Sequence, residues 1–303
     1  MSSIKKAILC PKRTARFLGV TLIQRLHCLF SDRFCVKVLY RLHFGKRLDL
    51  NNPKSFNEKL NWLKVYYHNP LCTKLADKYE VKEYVRSLIG DEHIVKNYGV
   101  WDSFDEIDFD SLPDQFVIKA THDSGGVIIC RDKKSFDWRS AKKKIDKVFK
   151  RNFYYISWEW PDKNIKPRVI IDEFLDDGRK GELQDYKFWC FNGEPKYMYI
   201  TNKGSEIYEN FYDMNFTPVD INHGFPRYKP EYPKPQCFDE MKEYASKLSK
   251  DIPFVRVDFF VVKNHVFFGE FTFFDWGGEQ PFANKNTDIE LGHYIELPIR
   301  QDI

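Results

Sequence analysis

The side chains that could do chemistry together lie near the carboxy-terminal end. In Phe254-Val255-Arg256-Val257-Asp258-Phe259 charged and apolar residues alternate, so Arg256 and Asp258 share one face of a strand. Glu270 follows the next apolar run, Val266-Phe267-Phe268-Gly269, after a turn at Lys263-Asn264-His265. Two carboxylates on adjacent antiparallel strands can approach closely enough to share a divalent cation. Hard oxygen donors favour magnesium, and magnesium usually brings a nucleotide phosphate. Upstream, Lys119 sits in the β-rich run Phe116–Ala120, just before His122-Asp123-Ser124-Gly125-Gly126. Backbone N–H groups of a Gly-rich turn can wrap phosphate oxygens while a lysine beside them supplies charge. Glu173 follows Val169-Ile170-Ile171-Asp172, as the acid of a purine-binding hinge would. Lys187 lies in a strand between aromatics, where an unpaired buried ammonium is costly unless an anion meets it. Each feature has an ordinary alternative: Asp258 as a charge on an exposed strand face, Gly125-Gly126 as a plain hairpin turn. The turn is neither a phosphate-binding P-loop nor a dinucleotide fingerprint.

These residues need elements to position them. Phe116–Ala120 and Val127–Cys130 flank the Gly turn as a hairpin. Residues 169–174 read as a strand, and 185–191 as another that turns at Asn192-Gly193 into 196–200. Residues 254–261 and 266–271 form the last strand pair. Helices are expected over 14–30, from Ser55 (an N-cap with Glu58 three residues on), from Cys72 through Val85 with a stop at Gly90, over 133–150 and over 238–250. Leu18, Leu22, Leu26 and Leu29 recur at helical spacing and are expected to pack inward. Residues 202–236, rich in Asn, Pro and Tyr, read as an extended excursion. Lys74, Asp77 and Lys78 are placed on the acceptor side of a cleft. Tyr154, Tyr155, Trp158 and Trp160 read as a packed aromatic cluster, with sugar stacking as the alternative. His68, His93 and His265 show no metal-ligand spacing.

Composition bounds the function. The 303 residues are 43% hydrophobic and 30% charged, a folded composition. No run of roughly 18 apolar residues occurs. The seven cysteines include no C-x-x-C pair, which argues against a zinc ribbon and a disulfide framework. The net charge of +4 is uneven: residues 1–47 carry eleven Lys/Arg against Asp32, so the rest of the chain is acidic. A basic start on an acidic body suits a polyanion or an anionic membrane surface. The opening residues lack the pattern of a secretory signal, so a cytoplasmic protein is expected, with peripheral contact at the inner membrane face. No nucleic-acid partner is expected.

In order, these elements resemble an ATP-grasp enzyme, and more closely the ATP-grasp family related to the teichuronopeptide biosynthesis protein TupA. The resemblance rests on NPKSFNEKLNWLK (52–64), LADKYEVKEYV (75–85), LPDQFVIKATHDSGG (112–126), DYKFWCFNGEPK (185–196), VRVDFFVV (255–262), FFGEFTFF (267–274) and LGHYIELP (291–298), spanning roughly residues 38–298. It implies an α+β ATP-grasp fold, with nucleotide between a small lid subdomain and a carboxy-terminal antiparallel sheet. The divisions expected are a basic helical segment 1–50, a helical subdomain 51–111, a lid 112–172 and a catalytic subdomain 173–303.

By the same resemblance, Lys119 and Lys187 bind phosphates, and His122, Ser124, Gly125 and Gly126 belong to the loop over them. Asp172, Glu173, Phe174 and Leu175 line the adenine. Arg256 stabilises the transferring phosphoryl group, while Asp258 and Glu270 hold Mg2+. Thr272 stands where many relatives place the third ligand, an asparagine, with Asp275 as a possible substitute. The activity implied is an ATP- and Mg2+-dependent carboxylate–amine ligase working through an acyl phosphate. Its partners would be an acidic sugar, such as a uronic acid of a bacterial capsular or surface polysaccharide precursor, and an amino compound. The rival readings are a kinase of a sugar or lipid hydroxyl and a nucleotide-sensing scaffold for glycosyltransferases.

Overall fold

The computed structural model describes residues 11–178, 183–203 and 207–301. The basic start therefore lies partly outside the described residues, Lys5 and Lys6 included. Helix α1 (Pro11–Arg25) runs into a short 3-10 turn and then α2 (Asp32–Phe44), which Ser31 caps by accepting from Phe34 N. Helix α3 (Phe56–Tyr66) begins with the capping box read from the sequence: Glu58 N donates to Ser55 Oγ at 3.3 Å, and Ser55 N donates to Glu58 Oε2 at 3.2 Å.

The single helix expected over 72–85 is instead two, α4 (Pro70–Ala76) and α5 (Val81–Ile89). Asp77 breaks it. Its Oδ1 accepts from Tyr79 N and Glu80 N at 2.8 and 3.1 Å, an alternative to continuing the helix. Its Oδ2 takes Arg168 Nη2 at 2.8 Å, which fixes the break from a residue far along the chain.

Two antiparallel sheets follow. The smaller has the order β1-β4-β2-β3, from β1 (Asn97–Trp101), β2 (Phe116–Ala120), β3 (Val127–Cys130) and β4 (Val169–Glu173). Its edge strand β1 comes from ahead of residue 112, and Phe104 and Ile107 join Phe116, Ile118, Ile145 and Ile171 in its core. Helix α6 (Trp138–Phe149) covers it; Asp137 caps that helix through Ser140 N. The one-turn helix α7 (Tyr154–Ser157) turns away from this sheet. Tyr154 and Trp158 are buried in the larger core, as the packed-cluster reading expects.

The larger sheet has the order β7-β6-β5-β8-β9: β5 (Asp185–Phe191), β6 (Glu194–Lys203), β7 (Ile207–Asp213), β8 (Phe254–Val262) and β9 (His265–Thr272). Strand β7 falls within the stretch expected to be an excursion. It pairs with β6 from Tyr197↔Asp213 to Lys203↔Ile207, and loop 219–231 covers it: Asn210 Nδ2 donates to Tyr228 O and Glu231 Oε2. All seven residues of β5 are buried, as expected of a central strand with cover on both faces. Helix α8 (Phe238–Leu248) packs there through Phe238, Met241, Ala245 and Leu248. Helix α9 (Lys285–Tyr294) crosses α3 so closely that a Cβ on Gly292 would lie 2.2 Å from Lys54 O, so only glycine fits.

The leucine stripe differs from expectation. Leu18, Leu22 and Leu29 are 62%, 59% and 67% exposed, and Phe17, Phe30 and Phe34 are exposed beside them. The inward face of α1 is instead Ile23 and Gly19, the latter against Leu42. Among the described residues no helix is long and apolar enough to cross a membrane.

Candidate active site

Strands β5, β8 and β9 lay the chemistry side by side. The register sets Lys187 opposite Asp258, Asp258 opposite Glu270 and Arg256 opposite Thr272. A bulge after Asp258 brings its carbonyl close to Gly269, where a Cβ would lie 2.9 Å from that oxygen. Glycine there is what lets Glu270 turn onto the same face.

Arg256 sits at the centre. Its Nε and Nη2 donate to the two oxygens of Asp258 at 2.7 Å each, a bidentate fork. Nη2 also reaches Glu270 Oε1 at 3.3 Å, and Nη1 reaches Asp275 Oδ1 at 2.6 Å and Tyr199 OH at 3.2 Å. Lys187 Nζ donates to Asp258 Oδ2 at 2.6 Å and pairs with Asp185 at 3.2 Å. Burial works against the charged Asp258, but Arg256 and Lys187 outweigh it and hold the carboxyl below its ordinary value. The guanidinium of Arg256 is likewise buried, and Asp258, Tyr199 and Asp275 keep it charged. The cost of the buried Lys187 ammonium, anticipated from sequence, is met by these carboxylates.

A second cluster sits on the smaller sheet. Asp172 is buried; Lys119 Nζ meets its Oδ2 at 2.9 Å, while Lys82 Nζ and Asn97 Nδ2 meet its Oδ1 at 3.0 Å. Burial opposes ionisation of Asp172, yet the two lysines hold its carboxyl low. The loop between β2 and β3 is braced by Asp123. That carboxylate accepts from Gly125 N and takes Arg151 through Nε and Nη2 at 2.5 and 2.6 Å. Gly126 passes so near Ala120 that a Cβ would lie 2.8 Å from the alanine methyl.

Two cavities meet between the sheets. One, about 350 Å³, is lined by Lys119, Asp172, Lys82, Asp258 and residues shared with the other. The second, about 560 Å³, lies on the Arg256 side and includes His122, Glu159, Asp162, Tyr199, Thr272 and Trp276. Lys78, Ser124, Lys187 and Glu270 line both, so the Arg256–Glu270 pair stands at the passage between them.

Of the expected site residues, Lys119, Ser124, Asp172, Lys187, Arg256, Asp258, Glu270, His122 and Thr272 all line one or both cavities. Glu173, Phe174 and Leu175 do not. Glu173 N donates to Lys96 O at 2.8 Å, and the Phe174 ring lies under Arg131 at 4.8 Å. Gly125 and Gly126 are not in either lining; they shape the loop. Lys78 lines both cavities, whereas Asp77 is committed to Arg168 and Lys74 to Glu83 at the surface. Sequence reasoning missed Lys82, Tyr199, Glu159 and Asp162. A signal existed for Lys82, four residues after Lys78, but none for the others.

Strands β8 and β9 offer oxygen donors suited to a hard cation. Glu270 gives one oxygen to Arg256 and keeps 42% of its side chain exposed, with Asp258 across the ladder and the Thr272 hydroxyl two residues on. Among the described residues no group of three or more His, Cys, Asp or Glu could hold a metal, so a bound cation would need the hydroxyl, water or phosphate oxygens to complete its shell. Asp275 holds Arg256 and Tyr199 instead.

Trp276 and Gly277, which border the larger cavity, are held from behind by the polar stripe of α3. Asn61 Nδ2 donates to Gly278 O at 2.8 Å, and Lys64 Nζ donates to Gly277 O and Ser157 O at 2.5 and 2.6 Å.

A family model described as TupA-like ATPgrasp matches residues 58–296. No curated protein matches the chain. Among solved structures, D-alanine–D-alanine ligase from Bacillus anthracis complexed with ATP is 15% identical, with a TM-score of 0.39 over 65% of this chain and 54% of that one. D-alanine–D-alanine ligase from Helicobacter pylori is 17% identical, with a TM-score of 0.42 over 73% and 58%. L-amino acid ligase from Bacillus licheniformis is 12% identical, with a TM-score of 0.43 over 80% and 55%. The matched regions thus span little more than half the length of these structures.

Proposed function

The chain belongs to the TupA-like ATP-grasp family, and on that premise we propose that it is an ATP- and Mg2+-dependent carboxylate–amine ligase. The observation that carries this reading is the Arg256 cluster at the junction of two cavities, one framed by lysines and the other large enough for an acceptor. ATP would occupy the smaller cavity, with Lys119 and Lys187 turned to its phosphates. Both lysines are already held by Asp172 and Asp258, so their ammonium groups are oriented before nucleotide arrives. Mg2+, held by Asp258 and Glu270, would neutralise charge on the phosphate oxygens when bound.

A carboxylate is a poor acyl donor at neutral pH. Transfer of the γ-phosphoryl group gives an acyl phosphate that an amine can attack. Arg256, fixed on three sides by Asp258, Asp275 and Tyr199, offers a rigid positive charge where the phosphoryl group passes from one cavity to the other. The loop at 122–126 borders both cavities, so its closure would exclude water.

The phosphoryl acceptor is proposed to be the carboxylate of a uronic acid of a bacterial surface polysaccharide or its precursor, and the acyl acceptor an amino compound. Work on such precursors suits residence at the cytoplasmic membrane face. The exposed Phe17, Leu18, Leu22 and Leu29, set among Arg16, Arg25 and Arg33, support peripheral contact with anionic lipid through apolar insertion as well as charge.

Two measurements test the activity. Millimolar ATP with Mg2+ should raise the melting temperature of the whole chain, and no shift would overturn the reading. Incubated with ATP, a uronic acid and an amine, the protein should release free phosphate and form an amide. Phosphate retained on the sugar would mean a kinase.

A further inference from the structure

The larger cavity carries both signs of charge, and they are satisfied unequally. Arg256 and Lys187 are met by Asp258, Asp275 and Asp185, while Lys78, the remaining cation of the lining, makes no ion pair among the described residues. Beyond Glu270 and the Arg151-bound Asp123, the lining holds two acids, Glu159 and Asp162, against that one cation. Glu159 spends Oε1 on the Ser157 hydroxyl at 2.5 Å, and the Asp162 carboxylate makes no hydrogen bond or ion pair. Both are half-buried in the cavity wall.

His122 points to the same kind of ligand independently. It lines this cavity, is only 4% exposed, and its Nδ1 has no hydrogen-bond partner. Its Nε2 lies 3.3 Å from Val148 O, and a carbonyl can only accept, so Nε2 carries the proton and Nδ1 presents a lone pair. Burial depresses the His122 pKa, which keeps the ring neutral and Nδ1 an acceptor. Glu159 and Asp162 thus border one space with fewer donors than acceptors, the Ser157 hydroxyl and Lys78 being the protein's own, and His122 adds a neutral ring to its wall. Aromatic rings of Phe153, Phe273 and Trp276 complete its wall, and such faces attract a cation.

We propose that Glu159, Asp162 and His122 form a subsite that takes the amine substrate as its ammonium ion, beside Arg256. A hydroxyl ligand would satisfy the hydrogen bonds but leave the two carboxylates opposed only by Lys78. An ammonium brings three donors and a positive charge together. A metal ion is a poorer fit, since among the described residues no group of three or more His, Cys, Asp or Glu, this one included, could hold a metal. The carboxyl pKa values agree: burial raises that of Glu159, and burial with Glu159 nearby raises that of Asp162 well above the usual range. A neighbouring cation would relieve both. The subsite rests on the ligase reading only in treating the bound amine as the nucleophile, which the ammonium becomes by giving one proton to the Glu159 or Asp162 carboxylate.

The test uses the whole chain and calorimetric titration. The probes are 1,4-diaminobutane and ethanolamine, each against its uncharged counterpart, 1,4-butanediol and ethylene glycol. Melting shifts with ATP and Mg2+ are measured in parallel. The amines should bind and the diols should not. Asp162→Asn and Glu159→Gln, which keep side-chain shape, should each weaken amine binding about 30-fold or more while retaining the nucleotide shift. The proposal is overturned if wild-type protein binds no amine, if amines and diols bind alike, or if both variants bind amine as wild type does. Amine binding without any nucleotide shift would overturn the ligase reading and leave the subsite standing.

Discussion

Glu279 offers a quantitative test of the packing behind the larger cavity. It is buried beside Lys64, whose side chain is fully enclosed and lies 3.6 Å from Glu279 Oε1. Burial raises its carboxyl pKa from 4.5 to about 7, with Glu159 adding to the shift and Lys64 opposing it. An acid with a raised folded pKa binds more protons folded than unfolded between those two values. Stability therefore falls as pH rises through the window from about 4.5 to 7, the reverse of the usual carboxylate behaviour. A shift of about 2.5 units corresponds to roughly 3 kcal/mol at most. His43, whose Nε2 lies 3.3 Å from Glu279 Oε2, works the other way. Burial, with Arg16 and Lys64 nearby, lowers its pKa from 6.5 to about 4, so its stability contribution is lost as pH falls through that range. The two slopes largely offset one another in the native protein. Glu279→Gln removes one and exposes the other. The variant's stability minus that of wild type should rise by roughly 3 kcal/mol between pH 4.5 and 7.5, or about 5 °C in melting temperature for a chain of this length. Urea and thermal unfolding across that range measure it. A flat difference would refute the assignment of a buried, proton-binding Glu279.

Other substitutions separate structural from functional roles. Asp258→Asn leaves Arg256 and Lys187 without their shared partner and should cost about 3 kcal/mol, the low end for breaking a buried pair because Asp275 and Asp185 remain; urea unfolding reads this. Glu270→Gln touches a half-exposed ion pair and should leave the melting temperature within a degree or two, while phosphate release falls on the order of 100-fold. Gly269→Ala forces a Cβ against the Asp258 carbonyl and should destabilise by about 1–3 kcal/mol in the same unfolding assay. Leu18→Ser with Leu22→Ser should leave stability unchanged but reduce co-sedimentation with anionic vesicles, most visibly at high salt where screening removes the charge contribution.

How far the sequence could be read depended on whether a feature's partners were local. The capping box at Ser55 and Glu58 and the hairpin at Asn192-Gly193 were legible because each is decided within a few residues. The strand pairing of Arg256 and Asp258 with Glu270 was legible because alternation and a short turn fix it. Asp77 defeated the helix expectation because its second oxygen is claimed by Arg168, 91 residues on. Strand β7 was missed because its polar residues look exposed until the loop carrying Tyr228 and Glu231 folds over them. The leucine stripe shows the converse failure. Helical spacing at Leu18, Leu22 and Leu29 says that one face is apolar, but not whether protein, membrane or water meets that face.

The same distinction explains which parts of the candidate site stayed hidden. A strand motif announces residues that act where they are bonded, such as Arg256 in its fork with Asp258. Glu159 and Asp162 follow α7 in an irregular stretch whose local pattern marks no chemistry. They acquire meaning only when α3, reaching back through Lys64 to Ser157 and Gly277, pins that stretch and the turn after β9 around one cavity. The helix begun by the motif at Asn52–Lys64 therefore does more than support the fold. In its polar stripe Asn61 and Lys64 tie the turn after β9 to Ser157, just ahead of the acids, while Asn57 holds α9 through Asp288. A polar residue buried in a helix is a stability cost unless its partners are supplied, and here backbone carbonyls of both cavity-forming segments supply them. The spacing of that stripe is legible in the sequence; the cavity it assembles is not.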